Sequence, residues 1–278
     1  ILLTTPPFLP STAYDPIMLL DTATTPAALF AAFEATYVPG RYASEAEREE
    51  RFAIFKENLL DIDRLSALNP HATFGVTRFS DRTDDEFAST RCAFRANATA
   101  HAALPRHTGV LDVDAATAFQ NQSVDWRTKG AVTPVKDQGD CGGCWAFSST
   151  GSIEGQWAIA GNTLVSVSEQ ELISCDDYFP CSGCSSGEQS CAWQFLKGEH
   201  GGQITTEKSY PYVSGATGGP VPKCSISGTS VGATISGYAS IPSNEIQMSA
   251  WAAQHGPMSV AAYAIPWKQV CSVRGLER

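Results

Sequence analysis

Between Thr25 and Ile62 apolar residues recur at helical intervals. Pro26 suits a first helical turn, Leu29, Phe30, Phe33 and Tyr37 follow on one face, and Pro39-Gly40 breaks the run. A second helix is expected after that break. Its Glu47, Arg51, Phe55, Asn58 and Ile62 fall at helical steps along one narrow face, read either as an interaction stripe or as an ordinary amphipathic surface laced with ion pairs. Residues 1–24, rich in Pro and Thr, have no usable period and read as a flexible lead-in. Residues 88–119 lose the pattern again and collect Ala, Asn, His and Thr, as a cleavable connector would. Farther on, the turn-rich stretch from Gln138 to Gly143 leads into a helix predicted to end near Gly161. Ser168-Glu169-Gln170-Glu171 reads as a capping box, with Val167 and Leu172 as its hydrophobic staple, and opens a helix that delivers Cys175. From Val231 onward the alternation becomes that of strands.

Composition narrows the function classes. The 278 residues are 43% apolar and 17% charged, enough for a sizeable core and more than one domain. A net charge of -10 and a pI near 4.9 argue against nucleic acid, whose affinity rests on Lys and Arg displacing counterions. Runs such as Ile17–Leu20 and Ala27–Ala32 fall far short of the ~18 apolar residues that span a bilayer. Residue 1 is Ile and no basic segment precedes an apolar one, so a signal peptide is expected to have been removed or never included. Nine cysteines, seven of them between Cys141 and Cys224, suggest an oxidising compartment, with which the sequons at Asn97 and Asn121 are compatible.

The candidate chemistry centres on Cys144. At a helix N-terminus the unpaired N–H groups and the positive dipole end favour a thiolate, the nucleophilic form. Gly142 and Gly143 let a substrate backbone approach closely. Gln138 can aim its side-chain amide at the oxyanion of an attacked peptide carbonyl, with the Cys144 N–H as second donor. Two other readings stand beside this one. Cys141-Gly142-Gly143-Cys144 could be a redox dithiol, although such motifs carry Trp before the first Cys and here Trp145 follows the second. Zinc could use Cys181-Ser182-Gly183-Cys184 with Cys175 and Cys191, but the gap back to Cys144 exceeds the roughly 15 to 20 residues of a four-cysteine ribbon.

The face carrying Glu47, Arg51, Phe55, Asn58 and Ile62 resembles the prosegment helix of cathepsin L-like proteases, with Ser66 where a final Asn is expected. Gly75, Thr77, Phe79 and Asp81 resemble the second prosegment motif, Gly-x-Asn-x-Phe-x-Asp, with Thr77 replacing Asn. Ser123 to Arg127 is similar to a mature papain-family N-terminus, which places the mature start near Gln120. Cys141 to Trp145 matches the papain and cathepsin signature C-G-[SA]-C-[WY] except at Gly143. The resemblance pairs Cys141 with Cys184 and Cys175 with Cys224. Cys181 and Cys191 are additional, so a third bridge between them is a hypothesis. Cys184-Ser185-Ser186-Gly187 resembles the Cys-x-Gly-Gly strip along which substrate lies, with Gly187 matched and Ser186 a departure. Glu188 and Gln189 stand where relatives place apolar pocket residues, and Ala261 would wall that pocket. Tyr210 to Gly215, Val231 to Gly237 and His255 to Val260 look most like trypanosomatid, cruzipain-like enzymes.

The resemblance implies an α+β fold: a helical inhibitory prosegment over 25–87, then a papain-like peptidase domain over 120–278 with a mostly helical left part and an incomplete β-rich right part. It implies a cysteine endopeptidase precursor of a lysosome-like acidic or secreted setting, acting on proteins and peptides, inhibited by its own prosegment, monomeric, and needing no cofactor or metal. Glu47 and Arg51 suggest prosegment release in acid. The implied site is Gln138 and Cys144 for catalysis and Gly142, Gly143, Gly187 and Ala261 for substrate. The family also needs a histidine and an Asn or Asp, roughly 130 to 150 residues beyond the cysteine. None of His71, His101, His107, His200 and His255 stands in the Asn/Asp-His-Gly context, and His255 precedes the turn Gly256-Pro257. The catalytic histidine is therefore expected beyond Arg278. The alternative is a catalytically dead chain acting as a prosegment-type inhibitory or binding module. Missing strands would leave unpaired edges, so a poorly soluble chain is expected.

Overall fold

The computed structural model describes residues 24–91, 123–217 and 220–273. The lead-in, most of the connector, the expected start at Gln120, both sequons and Cys92 lie outside them. The chain forms two compact units, one of Ile1–Phe87 with Tyr263–Arg278 and one of Ala88–Ala262.

In the first unit, helix α1 spans Pro26–Tyr37 behind Thr25, whose hydroxyl accepts from Ala28 N at 3.3 Å. Helix α2 spans Glu45–Leu68, capped reciprocally: Ser44 Oγ accepts from Glu47 N at 3.1 Å, and the Glu47 carboxylate accepts from Ala43 N at 2.7 Å. Phe30, Phe33, Phe55 and Ile62 are buried together, Phe55 lying 5.2 Å from each of the other two rings. Asn58 is buried too, and its amide donates to the carbonyls of Ser80 at 2.8 Å and Arg82 at 3.0 Å. Arg51 pairs with Glu86 at 2.8 Å and donates to Asp81 O at 3.1 Å. The expected stripe on α2 is thus spent inside its own unit, as cap, core and loop anchor.

Strand β1, Ala72–Phe74, pairs antiparallel with β4, Val270–Val273, placing Ala72 opposite Val273 and Phe74 opposite Val270. Thr77, where the motif expects Asn, donates its hydroxyl to Lys268 O at 2.6 Å, and buried Lys268 reaches Asp84 at 2.6 Å. These bonds explain why the residues from Tyr263 onward group with the first unit, although the expected peptidase domain runs on through them. Helix α3 spans Asp84–Arg91.

The second unit is built around helix α4, Cys144–Ile159, whose Trp145, Ala146 and Ile153 enter the core. Helix α5, Glu169–Cys175, starts behind Ser168, which accepts from Glu171 N at 3.1 Å, with Val167 and Leu172 fully buried. The capping box is only half formed, because the Glu171 carboxylate accepts from Thr205 N at 2.6 Å. Helix α6, Gln189–Glu199, leads to strand β2, Gln203–Thr205, which pairs antiparallel with β3, Val231–Thr234. The short helix α7, Ser214–Thr217, lies between these strands in sequence, and helix α8, Glu245–His255, follows under an Asn244 cap. Strands were expected from Val231 onward, yet α8 takes up much of that stretch. Helices and strands mix throughout, as an α+β fold requires.

Candidate active site

Cys144 is the first residue of α4, as the spacing predicts, and is half-buried. Among the described residues no side chain caps the helix. Gly143 occupies the cap position and its carbonyl accepts from Ala146 N and Phe147 N at 2.9 and 3.1 Å. The turn before it is held by the Cys141–Cys184 disulfide and by Gly142 N, which donates to Cys184 O at 3.1 Å. A Cβ on Gly143 would sit 2.9 Å from Ile173 Cδ1, the tip of a side chain, so the Ser or Ala expected there would need only a small shift of that tip. A Cβ on Gly187 would enter the indole of Trp145, the residue next to the nucleophile. That ring is fixed by its own N–H, which donates to Gly183 O at 3.1 Å.

The Gln138 amide nitrogen donates to Cys141 O at 2.7 Å and to Thr90 O at 3.5 Å. Its side chain thus lies on the turn that carries the nucleophile, and Gln138 O accepts from the Tyr212 hydroxyl at 2.6 Å. Gln138, Gly142, Gly143, Cys144 and Gly187 form one neighbourhood. Ala261 falls elsewhere, on a cavity of about 690 Å³ that it lines with Gln189, Trp193 and Val260, and which Cys144 does not line. Gln189 Nε2 donates to Val260 O at 3.1 Å. Glu188 is fully buried, its carboxylate accepting from the Ser190 hydroxyl, and is not among the residues lining the cavity. Of Glu188 and Gln189, Gln189 alone lines this cavity.

Sequence reasoning passed over Ser148. One turn after Cys144, its hydroxyl lies 2.7 Å from Ser259 Oγ and accepts from Val260 N at 3.3 Å, tying α4 to the cavity wall. The i, i+4 step from Cys144 was the available signal.

Among the described residues, His200 and His255 pack against other partners. His200 Nδ1 stands 3.3 Å from the buried Glu171 carboxylate, the His255 ring packs on Trp251 at 5.3 Å, and His71 is exposed. His101 and His107 lie outside the described residues. Cys141–Cys184, Cys175–Cys224 and Cys181–Cys191 are disulfides, so neither the redox pair with Cys144 nor a four-thiolate zinc set forms. Asp176, Cys181 and Cys191 place their donor atoms within 4.8 Å of one another, but the two sulfurs are bonded to each other.

Residues 120–271 match the family model for papain family cysteine proteases. The chain belongs to this family. Residues 33–87 match the cathepsin propeptide inhibitor domain. Among curated relatives, cysteine proteinase 2 of Leishmania pifanoi is 46% identical over 255 residues, covering 90% of this chain and 55% of the relative. A cysteine proteinase of Trypanosoma brucei brucei is 45% identical over 236 residues, covering 84% and 50%. The chain spans about half the length of the curated relatives it matches. Among solved structures, recombinant stem bromelain precursor superposes with a TM-score of 0.69 at 28% identity, covering 88% of this chain and 75% of that one. Digestive procathepsin L2 from Tenebrio molitor gives 0.68 at 29%, covering 84% and 73%. The papain-like, cathepsin L-like character expected from the motifs, and the likeness to trypanosomatid enzymes, are thus shown.

Proposed function

We propose that this chain is a cysteine endopeptidase precursor in which Cys144 is the nucleophile and Gln138 the oxyanion donor. The observation that carries the reading is Cys144 at the head of α4, outside the three disulfides, with the Gln138 amide seated on the same turn. The Cys144 thiolate adds to a peptide carbonyl, forming an S–C bond while the carbonyl electron pair moves to oxygen. The Gln138 amide and the Cys144 N–H receive that oxyanion. Its collapse breaks the C–N bond, the amine leaves with a proton given by the general-acid histidine that the family mechanism requires, and water then releases the thioester as acid and thiol. Neither His200 nor His255 is assigned that proton transfer, since their rings are turned to Glu171 and Trp251. Gly142, Gly143 and Gly187 accommodate the substrate backbone, and Ala261 walls a side-chain pocket.

Residues 25–87 act in this reading as an intramolecular inhibitor, with 88–119 as connector and 120–278 as peptidase domain. The carbonyl of Thr90 already faces the Gln138 amide, so the chain just beyond the inhibitory segment competes with substrate for the oxyanion donor. Proteins and peptides are the substrates, in an acidic lysosome-like or secreted setting, with the chain monomeric. The test is labelling of acid-treated protein by a peptidyl epoxide or vinyl sulfone, with Cys144→Ala as control. Selective labelling that vanishes in the control is expected; labelling that persists in it, or spreads over other cysteines, sinks the assignment.

A further inference from the structure

Residues 131–138 have no regular secondary structure, yet an oxyanion donor must be held to a fraction of an ångström. What fixes this coil is a buried charge cluster. Two residues before Gln138, Lys136 Nζ reaches Glu154 Oε1 and Glu169 Oε1, each at 2.6 Å, and both glutamate side chains are 1% exposed. Glu154 belongs to α4, the helix that begins at Cys144, and Glu169 to α5. Glu154 also accepts from the hydroxyl of Thr133 at 2.6 Å and from Val167 N at 2.9 Å, and Glu169 from the hydroxyl of Thr150, again on α4, at 2.6 Å. A second arm starts at Glu207, whose Oε1 accepts from Tyr212 N at 2.8 Å; the Tyr212 hydroxyl in turn donates to Gln138 O. Glu207 Oε2 is buried with no hydrogen-bond partner among the described residues.

We propose that Lys136, with Glu154, Glu169 and Glu207 around it, is a positioning device that fixes Gln138 relative to Cys144. The proposal rests on the reading of Gln138 as oxyanion donor. One arm ties the Gln138 segment to the nucleophile helix through Lys136, the other holds the Gln138 carbonyl through Tyr212, and both are rooted in one cluster. The Lys136 ammonium is paired with two carboxylates, and Glu207 lies within electrostatic reach of all three groups. Burial raises Glu169, and Lys136 and Thr150 offset this only in part. Burial likewise raises Glu207, Tyr212 N and Lys136 countering and Glu169 and Glu154 adding to the effect. Burial works against the Lys136 ammonium, but Glu169 and Glu154 outweigh it and hold its pKa above the ordinary lysine value.

The test follows the Gln138 side-chain and backbone amide resonances by NMR in this chain, alongside peptide hydrolysis by a longer form of the protein that includes the histidine the family needs. In the wild type the Gln138 resonances should titrate above the ordinary carboxylate range, together with the carboxyl carbons of Glu169 and Glu207, and Glu207→Gln should remove the Glu207 component. Lys136→Met should displace the Gln138 resonances and lower kcat by about tenfold or more at little change in KM, since the donor acts mainly on the transition state. Lys136→Arg, which keeps the charge, should recover at least half of that loss. Gln138 resonances that ignore pH in the wild type overturn the proposal even if Lys136→Met fails to fold. So does an Arg variant no better than Met. If Gln138→Ala leaves kcat unchanged, the oxyanion reading fails instead, and the NMR displacement in Lys136→Met still reports whether the cluster positions Gln138.

Discussion

Asp176 gives the sharpest quantitative expectation. It closes α5, is 5% exposed, and accepts from Tyr178 N at 2.9 Å through Oδ1, while Oδ2 is buried with no partner among the described residues. Burial, with Asp177 and Glu199 adding to it and Tyr178 N opposing, pushes its pKa from 3.8 up to about 7. The folded chain therefore holds a proton that the unfolded chain releases. The stability this contributes is full below the ordinary value and is lost as pH climbs through about 7. At about 1.4 kcal/mol per pH unit, the loss above neutrality is roughly 4 kcal/mol. Asp176→Asn keeps the Oδ1 acceptor and cannot ionise. Urea unfolding with disulfides intact should place the variant above wild type by about 1.5 kcal/mol near pH 5 and by roughly 4 kcal/mol near pH 8, a gap that widens by about 2.5 to 3 kcal/mol between the two. Two stability curves that run parallel across that range would refute the reasoning, because a carboxyl that ionises freely in the folded state carries no pH-dependent penalty.

Three further changes test other parts of the structure. Gly187→Ala drives a methyl into the Trp145 ring, and overpacking of this kind costs about 1 to 3 kcal/mol, visible as a lower melting temperature and slower Cys144 labelling. Replacing Cys181 and Cys191 together by Ser opens a disulfide of sequence separation 10. The chain-entropy relation gives about 2.7 kcal/mol for so short a loop, to be read from denaturation midpoints. Gln138→Ala should reduce kcat about a hundredfold or more while leaving the fold intact by circular dichroism.

Local chemistry made much of the molecule legible. Pro26 and Pro39-Gly40 bracket α1 because proline sets the first turn and cannot continue a helix, and Gly143 precedes a helix that begins at Cys144. The disulfides were legible only through resemblance, since spacing alone left zinc and redox readings open. Pairing across the chain left no local trace. Nothing in the period of Ala72–Phe74 announces Val270–Val273 as its partner. Charged residues misled most, because a charge in sequence reads as solvated. Glu188, Glu154 and Glu169 are almost wholly buried, and Glu171 leaves its expected cap for Thr205 N.

Acid should act differently on the two units. Glu47, expected to help release the prosegment, is a helix cap, so the pH response around Arg51 falls to its partner Glu86. Burial raises the Glu86 pKa, but Thr83 N and Arg51 outweigh it and hold it below the ordinary range. Its contribution is present above the ordinary carboxylate value and is lost as pH falls through the lowered one. The half-exposed setting keeps that contribution small. In the same unit burial raises Asp81, against Tyr42 and Arg51, which works in the opposite direction. The second unit is more one-sided: among its described residues Asp176, Glu169, Glu171 and Glu207 lie above their ordinary values, chiefly through burial, and only exposed Asp125 lies below. Lowering the pH from about 8 to about 5 should therefore strengthen the unit carrying Cys144 more than the unit carrying α2. Hydrogen exchange on the whole chain, corrected for the intrinsic pH dependence of exchange, should show protection rising in α4 and α5 and nearly level in α2. Equal gains in α2 and α4 would mean that the buried carboxyls do not set the acid response, and that prosegment release in acid needs another cause.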